Sequence, residues 1–405
     1  MRISTNMQFD RHLQSLMNTS GRLDKANERL LSGDKFATAG EDPFGMSQKM
    51  GLTTNIELYQ QYTTNGNLLQ STLSHEETVL SSINDNLLST TTLLQKIQNG
   101  AMSDGDLQDL GHELEMRQAE LYDLMNSKDP QGEYLFSGNQ TQTQPFAKDA
   151  NGRYVFQGDA GVRSVQVSPS VSIQASDSGH TIFETAATRR TASPLTGNNN
   201  ISILVSDQGA YDTYYKNNYD TSSTASNSFI FNTIAGTPDT YEITDSGGTV
   251  LKSGEYVAGE ALDFNGLSIT VDVATGGSQS FQMDSPTNDN ILNSLSDIIA
   301  VLKDPSSLSG DELQQAVADV QTHMSHTRDQ VGTALWQTGA RMNTLDSVLA
   351  SNGSLEESNT EARAAVSEID MYQAITDLYK EQNALSVAQQ TFGKLQQQSL
   401  FDYLR

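Results

Sequence analysis

An α+β fold, with long helices at both chain ends and an antiparallel β region inserted between them, follows from three observations. Proline is absent from the first 42 residues and from the last 100, and all eight prolines lie between Pro43 and Pro305. Apolar residues recur seven apart at both ends. Between about residues 132 and 290 the pattern changes to short alternating runs separated by turn pairs. Proline breaks helix interiors, so proline-free ends permit long helices. A sevenfold apolar repeat is the mark of a helical seam, and alternation that of a half-buried strand.

At the N-terminus Phe9, Leu16, Leu23 and Leu30 stand seven apart, with Leu13 flanking them. Ser32 and Gly33 punctuate this helix, and an irregular connector follows. A long helix is expected from Met46 to Gly100, with its stripe at Leu69, Leu73, Glu76, Leu80, Ile83, Leu87, Thr90, Leu94 and Ile97. Asn99-Gly100 is a suitable stop. A third helix carries Leu107, Leu110, Leu114, Leu121 and Leu124 and stops before Pro130.

Strands are expected around Tyr154-Val155-Phe156, Val165-Gln166-Val167, Val171-Ser172-Ile173, Ser228-Phe229-Ile230-Phe231 and Leu267–Val271. Asn151-Gly152, Gly247-Gly248, Asn265-Gly266 and Gly276-Gly277 supply turns. Gly158-Asp159-Ala160-Gly161 reads as a hairpin turn, and residues 206–228 as a long polar loop. Helices resume with Ile291, Leu295, Ile298 and Leu302. The next helix runs from Leu313 through Val317, Val320, Met324, Val331, Leu335, Met342, Leu345 and Leu349 to Asn352-Gly353. In the last one Met371, Leu378, Leu385 and Phe392 stand seven apart, and Ala374, Ala388 and Leu395 give a second seam position. The chain is therefore nested, and a domain built from both ends must be non-contiguous in sequence.

The length of 405 residues suits two or three domains. The formal net charge is −26, from 24 basic and 50 acidic residues. Nucleic acid and anionic membranes need a basic footprint, so neither is an expected partner. The chain has no cysteine, which removes disulfides, thiolate metal sites and cysteine nucleophiles together. The N-terminal stretch has no apolar core of the Sec type, and no run of about 18 apolar residues offers a membrane span. Charged residues make up only 18% of the chain, below the usual quarter or so, and small polar residues replace them. Such a surface can be buried against copies of itself with little ion desolvation.

Catalytic and metal signatures fail on inspection. His75-Glu76 and His112-Glu113 begin the HExxH zinc motif, but Val79 and Met116 occupy the position of its second histidine. His323 and His326 are expected to be a solvated pair, and Glu76-Glu77 and Glu356-Glu357 to be solvated too. Asp104-Gly105-Asp106 lacks calcium-loop spacing and reads as a helix start. Trp336 is expected to pack among helices, with Gly332 and Gly339 allowing close helix approach. No catalytic residue, cofactor or metal ligand is expected. Tyr211, Tyr214, Tyr215 and Tyr219 leave open a binding module that recognises a surface or glycan through the β region.

Each terminal helix has a narrow seam with polar flanks, which calls for one or two helical partners. The two ends can partner each other, or can pack as ordinary bundle helices on the middle ones. The paired ends are expected to order fully when neighbouring subunits surround them.

The stretch RLLSGDKFATAGEDPFGMSQKM resembles the N-terminal region of bacterial flagellins and their junction relatives, in which a leucine-rich helix ends in Ser-Gly ahead of an Asp-Pro turn. Here those residues are Leu30, Leu31, Ser32, Gly33, Asp42 and Pro43. The start, Met1-Arg2-Ile3-Ser4-Thr5, is similar to the hook-associated protein type 3 family. So is PQGEYLFSGNQTQTQPFA, in which Tyr134, Phe136, Ser137, Gly138, Pro145 and Phe146 match the loop leading into the family's β domain. The tail, from Ala384-Leu385 to Ser399-Leu400-Phe401-Asp402-Tyr403-Leu404, looks like the family's end. Flagellin proper is the rival; its start and its leucine-rich last residues differ from these.

The resemblance implies a flagellin-like fold. Residues 1–42 would be a coiled-coil segment pairing with 366–405, residues 43–130 and 291–365 a helical rod, and 131–290 an inserted antiparallel β domain. The implied role is a structural adaptor, a homo-oligomeric ring joining hook-associated protein type 1 to flagellin at the hook–filament junction. It also implies an extracellular, flagellar location, export through the flagellar type III apparatus, and an export chaperone for the C-terminal end. The assembly seam would be Phe9, Leu13, Leu16, Leu23, Leu30, Met371, Leu378, Leu385, Phe392 and Leu395. The alternative is a flagellin-type filament subunit.

Overall fold

The structure, a computed structural model, describes residues 5–99, 102–305 and 310–403, without the side chains of residues 5, 6, 8, 99 and 395–403. The expected motif at Met1–Ser4, the stop at Gly100, the Leu395 side chain and the tail side chains from Ser399 to Leu404 therefore lie outside the described residues. Among the described residues, no helix is long and apolar enough to cross a membrane.

Three helices come first: α1 (Thr5–Ser32), α2 (Pro43–Asn99) and α3 (Asp104–Met125). Ser103 caps α3 in a capping box with Asp106, so the Asp104-Gly105-Asp106 stretch does begin a helix. The β region then runs through β1 (Phe146–Lys148), β2 (Tyr154–Phe156), β3 (Ser164–Ser168), β4 (Val171–Gln174), β5 (Ala192–Pro194) and β6 (Ile201–Val205). After helix α4 (Gln208–Asn218) come β7 (Ser228–Ile234), β8 (Thr240–Asp245), β9 (Val250–Glu255), β10 (Ala261–Phe264), β11 (Leu267–Val271) and β12 (Ser278–Met283). The chain closes with α5 (Ile291–Lys303), α6 (Gly310–Ser367) and α7 (Met371–Tyr403).

The sheet orders are β5-β12-β7-β8-β9 and β10-β11-β6, with β1-β2 and β3-β4 as separate pairs. Both larger sheets are antiparallel throughout. The Asn265-Gly266 turn closes β10 onto β11, where Phe264 pairs with Leu267. The fold is thus α+β, with helices from both chain ends and an antiparallel β insert between them in sequence.

Two compact units arise from this order. One gathers residues up to Leu68, Gln166–Ser172, and residues from Leu345 onward; the other is Leu69–Val165 with Ile173–Thr344. The second unit holds two cores. The first collects Leu80, Ile83, Leu87 and Leu94 of α2, Leu114 and Leu121 of α3, Leu295 and Leu302 of α5, and Val317, Met324 and Val331 of α6. Within each helix these are stripe positions three, four or seven apart, the spacings that put side chains on one helix face. The second core is made by alternate residues of the sheets, among them Phe231, Ile243, Ile269 and Phe281.

Several expectations need correction. Residues 206–228 are not a loop. Asp207 accepts the Ala210 N–H at 3.0 Å and caps α4, whose Tyr211 and Tyr215 lie one turn apart and are buried in the sheet core. Their hydroxyls donate to the Thr191 and Asp284 carbonyls at 2.8 and 2.6 Å. These two rings are core, not an exposed recognition surface. Gly158–Gly161 is not a hairpin turn, because β2 and β3 belong to different sheets. Asp159 Oδ1 there accepts the Asn139 and Gly161 N–H groups and ties the segment to the loop after α3. The helix expected to stop at Asn352-Gly353 continues to Ser367. Asn352 is buried and its amide donates to the Val167 carbonyl at 2.7 Å, so it is not free to cap. Trp336 is 74% exposed, because the buried face of α6 is set by Val331, Ala334 and Thr338. A Cβ placed on Gly332 or Gly339 meets nothing within 4 Å, so neither glycine serves close helix approach.

Two polar groups expected to be solvated are buried. His323 is fully buried; its Nε2–H donates to the Asp289 carbonyl at 3.0 Å, and its Nδ1 accepts from Ser294 Oγ at 2.7 Å. Burial lowers its pKa, so it is held neutral. His326 is half-buried, with Nδ1 on the Ala187 carbonyl at 2.6 Å. Glu76 is also fully buried. Its Oε1 accepts the Asp177 N–H at 2.8 Å, while Arg341 Nη2 holds Asp177 Oδ1 at 2.5 Å. Burial first, and the Asp177 charge second, push Glu76 up to about 8.

A candidate assembly site at the paired chain ends

Helices α1 and α7 lie against each other. The Phe9 and Phe392 rings are 5.1 Å apart between centroids, and Arg22 Nε donates to Glu381 Oε2 at 3.0 Å. Farther along, Ala26 and Arg29 line one hollow with Ala374 and Asp377. Positions rise on one helix as they fall on the other, so the pair is antiparallel.

The pair is locked where α1 ends and α7 begins. Gly33, at φ +75°, accepts the left-handed conformation that closes a helix, and its N–H returns to the Arg29 carbonyl at 2.9 Å. The chain then runs beside the break between α6 and α7. Lys35 N–H donates to the Ser367 carbonyl at 2.7 Å, and Ile369 N–H to the Gly33 carbonyl at 2.9 Å. Lys35 Nζ reaches the Ala365 carbonyl at 2.8 Å, and Lys49 Nζ reaches Asp34 at 2.6 Å.

The Asp-Pro step starts α2. Asp42 Oδ1 accepts the Gly45 N–H at 2.9 Å as an N-cap, and Pro43 takes the first helical position, where no N–H is needed. Gly45 is required by packing, since a Cβ there would fall 2.8 Å from the buried Phe36 ring. Glu41 closes the connector on α1, bonded to Lys25 at 3.0 Å and receiving the Ala37 N–H. These hydrogen bonds hold its carboxyl below the ordinary range.

The seam is only partly covered. Leu16, Leu23, Leu30, Leu378, Leu385 and Phe392 are half-buried, whereas Phe9, Leu13 and Met371 stay exposed. Beyond the seam, Leu31, Phe44, Tyr372 and Tyr379 are 80%, 73%, 87% and 62% exposed. Sequence reasoning missed these four because they stand off the sevenfold repeat. The signal was their type: large apolar or aromatic residues at positions where a lone helix pair needs none. Together they leave large apolar side chains open on the paired ends and at the start of α2.

The loop leading into the β region belongs to the other unit and is built around its motif. Phe136 and Phe146 are fully buried and both meet Phe183 edge to face, at 5.6 and 5.7 Å. Tyr134 takes Lys128 Nζ over its ring at 4.5 Å. Pro145 is buried, and its carbonyl accepts the Gln157 N–H at 2.7 Å. Ser137 Oγ donates to the Tyr134 carbonyl at 3.1 Å. Gly138, at φ +72°, has no room for a side chain, because its Cβ would stand 2.2 Å from the Asp159 carbonyl oxygen. These residues shape a fold entry rather than a surface. Among the described residues, no group of three or more histidine or acidic side chains could hold a metal.

The model of the bacterial flagellin N-terminal helical region matches residues 3–141. The Escherichia coli (strain K12) flagellar hook-associated protein 3 is 28% identical over 194 residues, 48% of this chain and 60% of that one. The Salmonella enteritidis flagellin is 27% identical over 279 residues, 65% of this chain and 54% of that one. The chain thus spans between half and two thirds of the length of these curated relatives. The crystal structure of Xanthomonas campestris FlgL shares the fold at a TM-score of 0.59 and 21% identity, over 76% of this chain and 98% of that one. With the helix-ending and β-entry motifs in place, the chain carries a flagellin-type N-terminal helical region and is similar to the flagellar hook-associated protein 3 family.

Proposed function

We propose that this chain is a structural adaptor subunit at the hook–filament junction of a bacterial flagellum. It forms a homo-oligomeric ring that contacts hook-associated protein type 1 on one side and flagellin on the other. It reaches the cell exterior through the flagellar type III apparatus, with a chaperone covering its C-terminal helix beforehand, and it carries out no catalysis. The observation that carries this reading is the apolar surface left open on the paired ends and the adjoining start of α2, at Leu31, Phe44, Tyr372 and Tyr379. A subunit that acted alone would gain nothing from it, whereas a subunit surrounded by neighbours buries it. In this reading the seam residues Phe9 to Leu30 and Met371 to Leu395 hold the ends paired, and the surface around them is the assembly contact. Residues 1–42 and 366–405 act together as the inner segment, residues 43–130 and 291–365 as the rod, and 131–290 as the outer β domain.

The flagellin match favours a second reading, a filament subunit. Deletion of the gene separates the two. An adaptor predicts cells with hooks that shed unassembled flagellin into the medium. Intact filaments in the deletion strain refute the adaptor, and lost filaments without shed flagellin identify a filament subunit.

A further inference from the structure

The two cores of the second unit are built from separate stretches of chain. The helical core draws on residues up to Phe183 and again from Ile291, whereas the sheet core lies between Ala192 and Met283. All strands from β5 to β12, with α4, belong to that inner stretch. The chain therefore enters the sheet body once and leaves it once, and the two crossings run side by side. Asp284 N–H donates to the Thr191 carbonyl at 3.0 Å, Thr188 N–H to the Thr287 carbonyl at 2.9 Å, and Asp289 N–H to the Ala186 carbonyl at 3.3 Å. This two-stranded neck is thin, and on its outgoing strand Ser285, Pro286, Thr287 and Asn288 are exposed.

Arg189 stands on the incoming strand of the neck, its side chain only 4% exposed. On the sheet side, Nε donates to Gln208 Oε1 of α4 and Nη2 to the Val205 carbonyl of β6 at 3.2 Å. On the helix side, Nη1 donates to Gln315 Oε1 and Asp319 Oδ1 of α6 at 2.8 and 2.9 Å. One planar guanidinium thus ties the neck, the sheet body and α6 together. Bodies joined by a thin neck move relative to each other unless a large apolar interface holds them. The bridge at Arg189 is polar instead. Arg189 keeps its charge, and Asp319 is already 50% exposed, so water can solvate both partners when the bridge opens. Neither apolar core has to be broken for that.

We propose that Arg189 is a latch between the sheet body and α6, and that on its release residues 192–283 swing as one body about the neck formed by residues 186–190 and 284–290. The inference concerns the free subunit and stands apart from the adaptor reading.

The chain has no cysteine, so a pair of spin labels can be placed at will. Ser253→Cys on β9 and Ala119→Cys on α3, both at exposed positions, mark the two bodies in the full-length protein. Pulsed electron paramagnetic resonance then reads the distribution of distances between them. With Arg189 in place a narrow distribution is expected. Arg189→Met should at least double its width while the far-ultraviolet circular dichroism stays that of the parent. A broad distribution with Arg189 present, or an equally narrow one in a folded Arg189→Met, overturns the inference. If Arg189→Met does not fold, Gln315→Ala combined with Asp319→Ala opens the latch from the α6 side alone. The same broadening is expected there, and a narrow distribution overturns the inference. Unfolding of both variants overturns it too, because a latch leaves both bodies folded when it opens.

Discussion

Replacing Glu76 by Gln removes a titrating group from the interior while keeping its shape. Glu76 is buried on α2 beside Asp177, whose charge Arg341 already engages. Its carboxyl is pushed from 4.5 up to about 8 by burial and by that neighbouring charge. Between those two values the folded protein keeps a proton that the unfolded chain has released. Stability contributed by this group is therefore complete below about 4.5 and is lost as pH rises through about 8. At roughly 1.4 kcal/mol per unit, the window amounts to about 5 kcal/mol. The amide of Glu76→Gln can still accept the Asp177 N–H and has nothing to titrate. Guanidinium unfolding followed by far-ultraviolet circular dichroism, from pH 5 to pH 9, measures the difference. The wild type should lose several kcal/mol more than the variant across that range, and the variant should be the more stable of the two at pH 9. Parallel pH profiles for the two proteins would refute the reasoning.

In the Glu76→Gln background, His323 should govern the acid side. Burial lowers its pKa below 6.5, so the unfolded chain takes up the proton first and stability falls as pH drops through that value. His323→Gln should flatten this limb in the same unfolding series. Gly138→Ala should destabilise the protein by more than about 2 kcal/mol, since it combines a left-handed backbone with a Cβ driven into the Asp159 carbonyl. Gly353→Ala, in open space inside α6, should stabilise it by about 1 kcal/mol through helix propensity. Thermal melts of those two variants must move in opposite directions. Asn352→Ala should cost about 1–3 kcal/mol by leaving the buried Val167 carbonyl without its donor.

Local periodicity made the helices legible. Leu80, Ile83, Leu87 and Leu94 were placed on one face by spacing, and all four are fully buried. The turn at Asn265-Gly266 was legible because that pair favours the tight hairpin geometry it adopts. Residue type misled where it competed with position. The acidic type of Glu76 suggests a solvated side chain, yet its place in the leucine stripe predicts burial, and it is buried. The aromatic type of Trp336 suggests packing, yet it lies off the face that Val331 and Ala334 define. The polar composition of residues 206–228 hid the one-turn spacing of Tyr211 and Tyr215. Which strands pair was not legible at all: β12 joins β5 and β7 across long stretches of chain, and no local pattern encodes that. At the chain ends the matching sevenfold repeats showed two helices able to meet. What lay outside their reach was the exposed set at Leu31, Phe44, Tyr372 and Tyr379, because a repeat describes what a helix pair covers and not what it leaves bare.

The pairing of α1 with α7 also sets a clock. Arg22 and Glu381 are 359 residues apart in sequence. At synthesis rates of about 5–20 residues per second, the first helix waits on the order of tens of seconds before its partner has been made. Throughout that interval its apolar stripe has no intramolecular cover. The newborn chain is therefore open to capture or misassociation at its first segment, and that exposure cannot end within the chain before its last segment is made. A chain truncated before Met371 never reaches that point.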